Sequence, residues 1–245
     1  MGALDGHVAL VTGSTRGIGR AIAELFAAEG AALVVNGRRQ DAAEQAAREI
    51  GDQVAGSTVI GIGADQSSKA EIEALCRSAA DALGPIDVLV NNAAIAPRTA
   101  ITRVTDEEWD ETLLVNLTAP FWYIRELVPG MKQLGHGSIL NITSGAGIHG
   151  TIGFSSYSAA KGGMNGLSYT LAQELERFGI RTNLLAAGAD TDMMRQLPKE
   201  IFNPETAAMP SVEANARTAL RLVVDESLNG QCFQVGQEAE LPPIG

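Results

Sequence analysis

Short apolar runs alternate along this chain with longer stretches in which apolar residues return every three or four positions. The runs occupy residues 8–12, 32–36, 57–62, 88–91, 138–143, 181–186 and 232–235. Their length and position between turn-forming residues read as strands. The amphipathic stretches 18–29, 41–50, 70–83, 106–131, 157–178 and 212–224 lie between them and read as helices. Strands joined by helices make βαβ crossovers, which are right-handed and place helices on both faces of a parallel sheet. The pattern therefore predicts an α/β fold, a doubly wound parallel sheet of about seven strands.

The 245 residues hold no linker, repeat or low-complexity tract, and residues 1–245 are read as one domain. The least regular stretch is 189–211. It carries Pro198, Pro204 and Pro210 and the adjacent Met193 and Met194, and it is expected to form a substrate lid. Aromatic residues are only 4% of the chain, so Ala, Val, Leu and Ile must do most of the packing. A net charge of −11 repels nucleic acid and anionic lipid, which excludes both as expected partners. An anionic ligand then needs a local basic patch. Cys76 and Cys232 read as structural thiols with no disulfide framework, as in a reducing cytosol. A strand-like run begins almost at the N-terminus, with no signal peptide or membrane span in view. A cytoplasmic location is expected.

The first strand runs into Thr12-Gly13-Ser14-Thr15-Arg16-Gly17-Ile18-Gly19. A glycine-rich turn between a strand and a helix lets backbone N–H groups approach a pyrophosphate, and the helix N-terminus adds favourable partial charge. After the second strand stands Asn36-Gly37-Arg38-Arg39. The acid that would accept from an adenosine ribose is missing, and arginine can instead clamp a 2′-phosphate. Arg16 supplies a cation from the other side. These positions point to NADP(H).

Tyr157 and Lys161 stand four apart in Tyr157-Ser158-Ala159-Ala160-Lys161, a spacing that puts them on one helix face. Ser144 follows the fifth strand, Asn116 lies within the stretch 106–131, and Asn91-Asn92-Ala93-Ala94 follows the fourth strand. Ligands in open parallel sheets bind beyond the carboxyl ends of strands, so Gly13, Asn91 and Ser144 should converge.

These motifs, in register over nearly the whole chain, resemble the short-chain dehydrogenase/reductase family and its Rossmann-type fold. The chain is similar in plan to bacterial 3-ketoacyl-carrier-protein reductases and small-ketone reductases. The resemblance implies an NADP(H)-dependent oxidoreductase moving a hydride between nicotinamide and a carbonyl/secondary alcohol pair, with a small hydrophobic ketone or β-ketoacyl compound as substrate. It implies a catalytic set of Asn116, Ser144, Tyr157 and Lys161. Tyr157 would exchange the proton. Ser144 would hold the substrate oxygen, Lys161 would also bind the nicotinamide ribose, and Asn116 would hold a water leading to solvent. Cofactor contacts would come from Gly13, Ser14, Thr15, Arg16, Gly17, Ile18, Gly19, Arg38, Arg39, Asp65, Asn91, Ala93, Tyr157, Lys161, Gly188 and Thr191. Bringing a phenol from its ordinary value near 10 to near 7 takes about 4 kcal/mol. The Lys161 ammonium and the charge of oxidised nicotinamide are the expected sources.

The substrate wall is expected from Ser144, Ile95, Ala96, Ile148, His149, Phe154, Met193, Met194 and Leu197. The remaining histidines, His7 and His136, lack ligand spacing with His149, and no metal is expected. Departures from the family pattern are Ala187-Gly188 for Pro-Gly, Ala94 for a glycine, and the C-terminal residues after Val235. The family implies a homotetramer, with a dimer as the second choice. The alternative reading is a catalytically silent dinucleotide-binding regulatory or scaffold protein. An epimerase or dehydratase with a resident nicotinamide is disfavoured by the short C-terminal part.

Overall fold

In the computed structural model, whose described residues are 2–188 and 209–235, β1 (Val8–Val11) feeds α1 (Gly17–Ala28), and the alternation continues. It runs through β2 (Ala32–Gly37), α2 (Gln40–Gln53), β3 (Val59–Gly63), α3 (Lys69–Leu83) and β4 (Val88–Asn91). Then come α4 (Asp106–Leu113), α5 (Ala119–Leu134), β5 (Gly137–Thr143), the short α6 (Ala146–His149), α7 (Ser155–Leu175), β6 (Ile180–Ala186), α8 (Val212–Val224) and β7 (Cys232–Gln234). The seven strands form one sheet in the order β3-β2-β1-β4-β5-β6-β7. Every pairing is parallel.

Successive residues of one strand serve opposite cores, which is why the strands read as unbroken apolar runs. Ala9 and Val11 join Leu33, Val35, Ile22 and Phe26 on the face covered by α1, α2 and α8. Leu10 between them joins Val34, Leu89, Ile72 and Tyr123 on the face covered by α3, α5 and α7. Each large apolar side chain buried this way contributes about 1.5–3 kcal/mol before the entropy of ordering is subtracted.

The stretch 106–131, expected as one helix, is interrupted by a π-helical turn, Leu114–Thr118. Pro120 supplies the reason. It has no N–H to close the α-helical bond back to the Asn116 carbonyl, and its ring crowds that carbonyl. The interruption falls on Asn116. The helix expected over 157–178 begins two residues earlier and ends in a 3₁₀ turn, Glu176–Phe178. Of the expected lid, residues 189–208 lie outside the described residues, and with them Thr191, Met193, Met194 and Leu197. No helix among the described residues is long and apolar enough to cross a membrane.

Candidate active site

The strand order reverses between β1 and β4, and a cavity of about 990 Å³ opens at the carboxyl ends of the strands there. Its volume is at the upper end for ligand sites. It runs from the glycine turn (Gly13, Thr15, Arg16, Gly17, Ile18, Gly19) past Arg38, Arg39 and Asp65 to Ala93, Ser144, Tyr157, Lys161 and Gly188. Residues expected on three separate motifs thus share one cleft.

The phosphate end is built by α1 and its approach. Three helices start under a side-chain cap, from Ser68 for α3, Thr105 for α4 and Ser211 for α8. Arg16 gives α1 no such cap, and no acid stands in its first turn. Its first N–H groups therefore face the cavity as donors for an anion. Ser14 does not line the cavity; its hydroxyl donates to the Val11 carbonyl at 2.6 Å and accepts from the Asn36 N–H at 3.0 Å. A Cβ on Gly19 would lie 2.3 Å from Asn92 Nδ2 and 2.6 Å from the Gly13 carbonyl, so only glycine lets the helix start so close to the turn. The cradle fits a dinucleotide phosphate.

The two arginines after β2 differ. Arg39 is paired with Asp41 at the surface. Arg38 makes no hydrogen bond or ion pair among the described residues, and it pulls the Asp65 carboxyl down only by its charge, behind the Ser67 backbone and hydroxyl bonds.

At the other end, Ser144 and Tyr157 line the cavity together, and the Tyr157 ring lies 5.9 Å from that of Phe154. Lys161 is 2% exposed; its Nζ donates to the Ile142 carbonyl at 2.7 Å and sits 5.7 Å from the centre of the Tyr157 ring. A model of the short chain dehydrogenases matches residues 7–201.

The chain belongs to the short-chain dehydrogenase family. It is 41% identical over 212 residues to nodulation protein G of a Rhizobium species, covering 85% of this chain and 83% of that one. It is 42% identical over 185 residues to D-beta-hydroxybutyrate dehydrogenase of Cupriavidus necator, covering 76% and 71%. Against the 3-oxoacyl-acyl-carrier-protein reductase of Escherichia coli it is 38% identical over 194 residues, covering 79% and 78%. It is an oxidoreductase of the CH–OH/C=O type from a family that uses nicotinamide cofactors.

The electrostatics of this short-chain dehydrogenase are set by burial. Desolvation pushes the Tyr157 phenol up from 10, and the nearby Ser144 hydroxyl works against it. Desolvation brings the Lys161 amine down from 10.5 to about 8. The chain's own groups therefore leave Tyr157 a protonated donor, not a group poised near 7. Any further lowering has to come with charge that enters the cleft.

Asn116 and Asn91 are buried and do not line the cavity. Asn116 donates both amide hydrogens, to the Ile95 carbonyl at 2.8 Å and the Thr112 carbonyl at 2.9 Å, and accepts from the Ile95 N–H at 3.2 Å. Its side chain ties down the loop carrying Ile95, so a water held here would have to use its backbone carbonyl. Asn91 donates to Asn141 at 2.8 Å. Ile95, Ala96 and Phe154 line the cleft as expected. His149 and Ile148 do not. They border a separate small hollow with Asn165, Tyr169, Cys232 and Gln234, because the single turn of α6 rotates them away from Ser144.

Several residues escaped the sequence reading. Asn92 donates to the carbonyls of Thr12 at 2.9 Å and Gly13 at 3.1 Å, while the Thr12 hydroxyl accepts from the N–H groups of Asn92 and Ala93, both at 3.0 Å. Asn36, fully buried, accepts from the Gly13 N–H at 3.3 Å and from Gln66 at 3.0 Å. These side chains hold the glycine turn in shape. Gly147 lets α6 lie directly on α7, since a Cβ there would be 2.7 Å from the Lys161 Cβ. The signal available for Asn36 and Asn92 was a polar residue at the carboxyl end of an apolar strand. The histidines also differ from expectation: His7 and His136 meet at Asp87.

Proposed function

We propose that the protein is an NADPH-dependent reductase of a small hydrophobic ketone or β-ketoacyl compound. One observation carries the reading: an uncapped, glycine-lined helix start with Arg38 beside it, and the Ser144–Tyr157–Lys161 group, stand at two ends of one cavity. Bound NADPH supplies a hydride to the carbonyl carbon. Tyr157 gives its phenolic proton to the carbonyl oxygen, so that ketone, hydride and proton make the alcohol. Ser144 donates to that oxygen as its negative charge grows. Lys161, with one of its three donors on Ile142, would offer the others to the cofactor ribose and the phenol. Arg38 takes the 2′-phosphate, and Arg16 and the first turn of α1 take the pyrophosphate.

The substrate class is supported by chemistry common to two relatives. A 3-oxoacyl group and a β-hydroxybutyrate both carry oxygen on the third carbon of an acyl chain. Ile95, Ala96 and Phe154 offer an apolar wall for such a chain. Lid contacts from 189–211, including Met193 and Met194, and a carboxamide contact from Thr191 belong to the same reading. So does a homotetramer built on α5 and α7, where Phe121 is 40% exposed and Tyr169 42%.

The test is turnover of NADPH, and separately NADH, with ketones, diketones and a β-ketoacyl thioester. Activity that favours NADPH and disappears in Tyr157→Phe, with NADPH binding retained, is the expected result. Tight NADPH binding without turnover on any of them would shift the reading to a silent dinucleotide-binding protein. Light scattering on the same sample checks the tetramer.

A further inference from the structure

At the end of the sheet opposite the cleft, the residue directly before each of three neighbouring strands can ligate a metal. His7 precedes β1, Asp87 precedes β4 and His136 precedes β5. These strands are adjacent in the sheet, with Ala9 paired to Val88 and Val88 to Ser138. The three side chains therefore meet, and their ligand atoms all lie within 4.8 Å of one another.

The group is arranged around one atom. Asp87 Oδ1 accepts from the Val8 N–H at 2.8 Å, which fixes the buried carboxylate and leaves Oδ2 to the two histidines. His7 Nδ1 lies 2.6 Å from Oδ2 and His136 Nδ1 3.5 Å from it. The two imidazole rings stand edge to face, 5.9 Å between centres. Two imidazoles aimed at one carboxylate oxygen exceed what a simple ion pair needs. The His7 contact satisfies Asp87, and the His136 contact is too long for a strong hydrogen bond.

We propose that His7, Asp87 and His136 form a binding site for a divalent transition ion of the zinc type. Two imidazole nitrogens and one carboxylate oxygen are a donor set zinc accepts, with bonds of about 2.0–2.2 Å. Tetrahedral placement then puts the ligand atoms about 3.3 Å apart. The separations of 2.6 and 3.5 Å are within side-chain adjustment of that. The backbone bond to Oδ1 plays the orienting part that outer-shell partners play in metal sites. His7 and His136 are 39% and 53% exposed in their side chains, so an ion can enter and water can fill the fourth position. The site lies away from Tyr157 and Lys161 and takes no part in hydride transfer. Its effect is to tie together the starts of the three central strands.

The experiment is a titration of the full chain with Zn²⁺, followed by calorimetry and by the side-chain NMR signals of the three histidines. One Zn²⁺ per chain is expected, with the signals of His7 and His136 shifting and that of His149 unmoved. Zn²⁺ should raise the thermal midpoint, because it binds the folded chain preferentially. His7→Ala and His136→Ala, both at partly exposed positions, should each weaken binding at least about tenfold and remove the midpoint rise. Circular dichroism confirms that both variants fold, and Cys232→Ala controls for a thiol site. No uptake up to millimolar Zn²⁺, or uptake that neither histidine substitution weakens, overturns the proposal. Neither result bears on the NADPH reading, which has its own assay.

Discussion

The two ends of the parallel sheet are built from the same strands and treated in opposite ways. At the amino ends, Asp87 is satisfied on both oxygens, by Val8 and His7. At the carboxyl ends, polar groups are buried or aligned without full partners. The first turn of α1 has no side-chain cap, Lys161 is buried with a single hydrogen bond among the described residues, and Arg38 has no bonded partner among them. Burying an amine or leaving N–H groups uncapped costs stability. The fold bears that cost at the end where βα turns and helix starts converge and a ligand can supply the missing partners.

The sharpest way to break this comparison is Tyr157→Phe. It should lower kcat/KM about 10²–10⁴-fold while leaving NADPH affinity within a few-fold, read by steady-state kinetics beside a binding titration. Gly19→Ala should follow. Its Cβ would meet Asn92 and the Gly13 carbonyl, so NADPH binding should weaken at least about tenfold. Stability should fall by about 1–3 kcal/mol in denaturant unfolding. Arg38→Ala should weaken NADPH by about 10–100-fold, the worth of charge-assisted hydrogen bonds, and leave NADH nearly unchanged. Equal losses for both cofactors would remove the 2′-phosphate assignment.

A pH series tests the buried amine. Lys161 is charged below about 8 and neutral above it, so kcat/KM for reduction should decline as pH rises through that value. Stability should move the other way. An unfolded lysine keeps its proton to 10.5, so between about 8 and 10.5 the unfolded chain binds more protons. The Lys161 contribution to stability then grows with pH across that window. Lys161→Met should lose that rise, and a slope identical to wild type would contradict the assignment. The smallest effect is expected at the opposite end. In metal-free buffer, His136→Ala should leave kcat/KM and NADPH affinity unchanged and shift stability by about 0.5 kcal/mol or less.

Much of the carboxyl end was legible from the chain. The turn 12–19, the Tyr157/Lys161 spacing and the position of Ser144 each lie within one segment or at a strand end, and local order was enough to set them. The break in 106–131 was also written locally, by Pro120, although helical periodicity ran through it. What periodicity could not report was rotation and partner choice. His149 stands five residues after Ser144 yet turns into another hollow. Arg38 and Arg39 look equivalent in order, and only Asp41 separates them. Asn36, Asn92 and Gly147 act on segments far away in the chain, through contacts that no spacing displays.

The sequence by itself determined the βαβ alternation, the doubly wound class and the family, because hydrophobic period and glycine placement act over a few residues. Tertiary structure alone decided which polar groups meet. His7 and Asp87 are 80 positions apart, and only the pairing of β1 with β4 and β4 with β5 brings them and His136 together. A hydrogen bond or a metal ligand set is sensitive to separations of a few ångströms. Those separations follow from strand register and helix rotation once the two cores have packed.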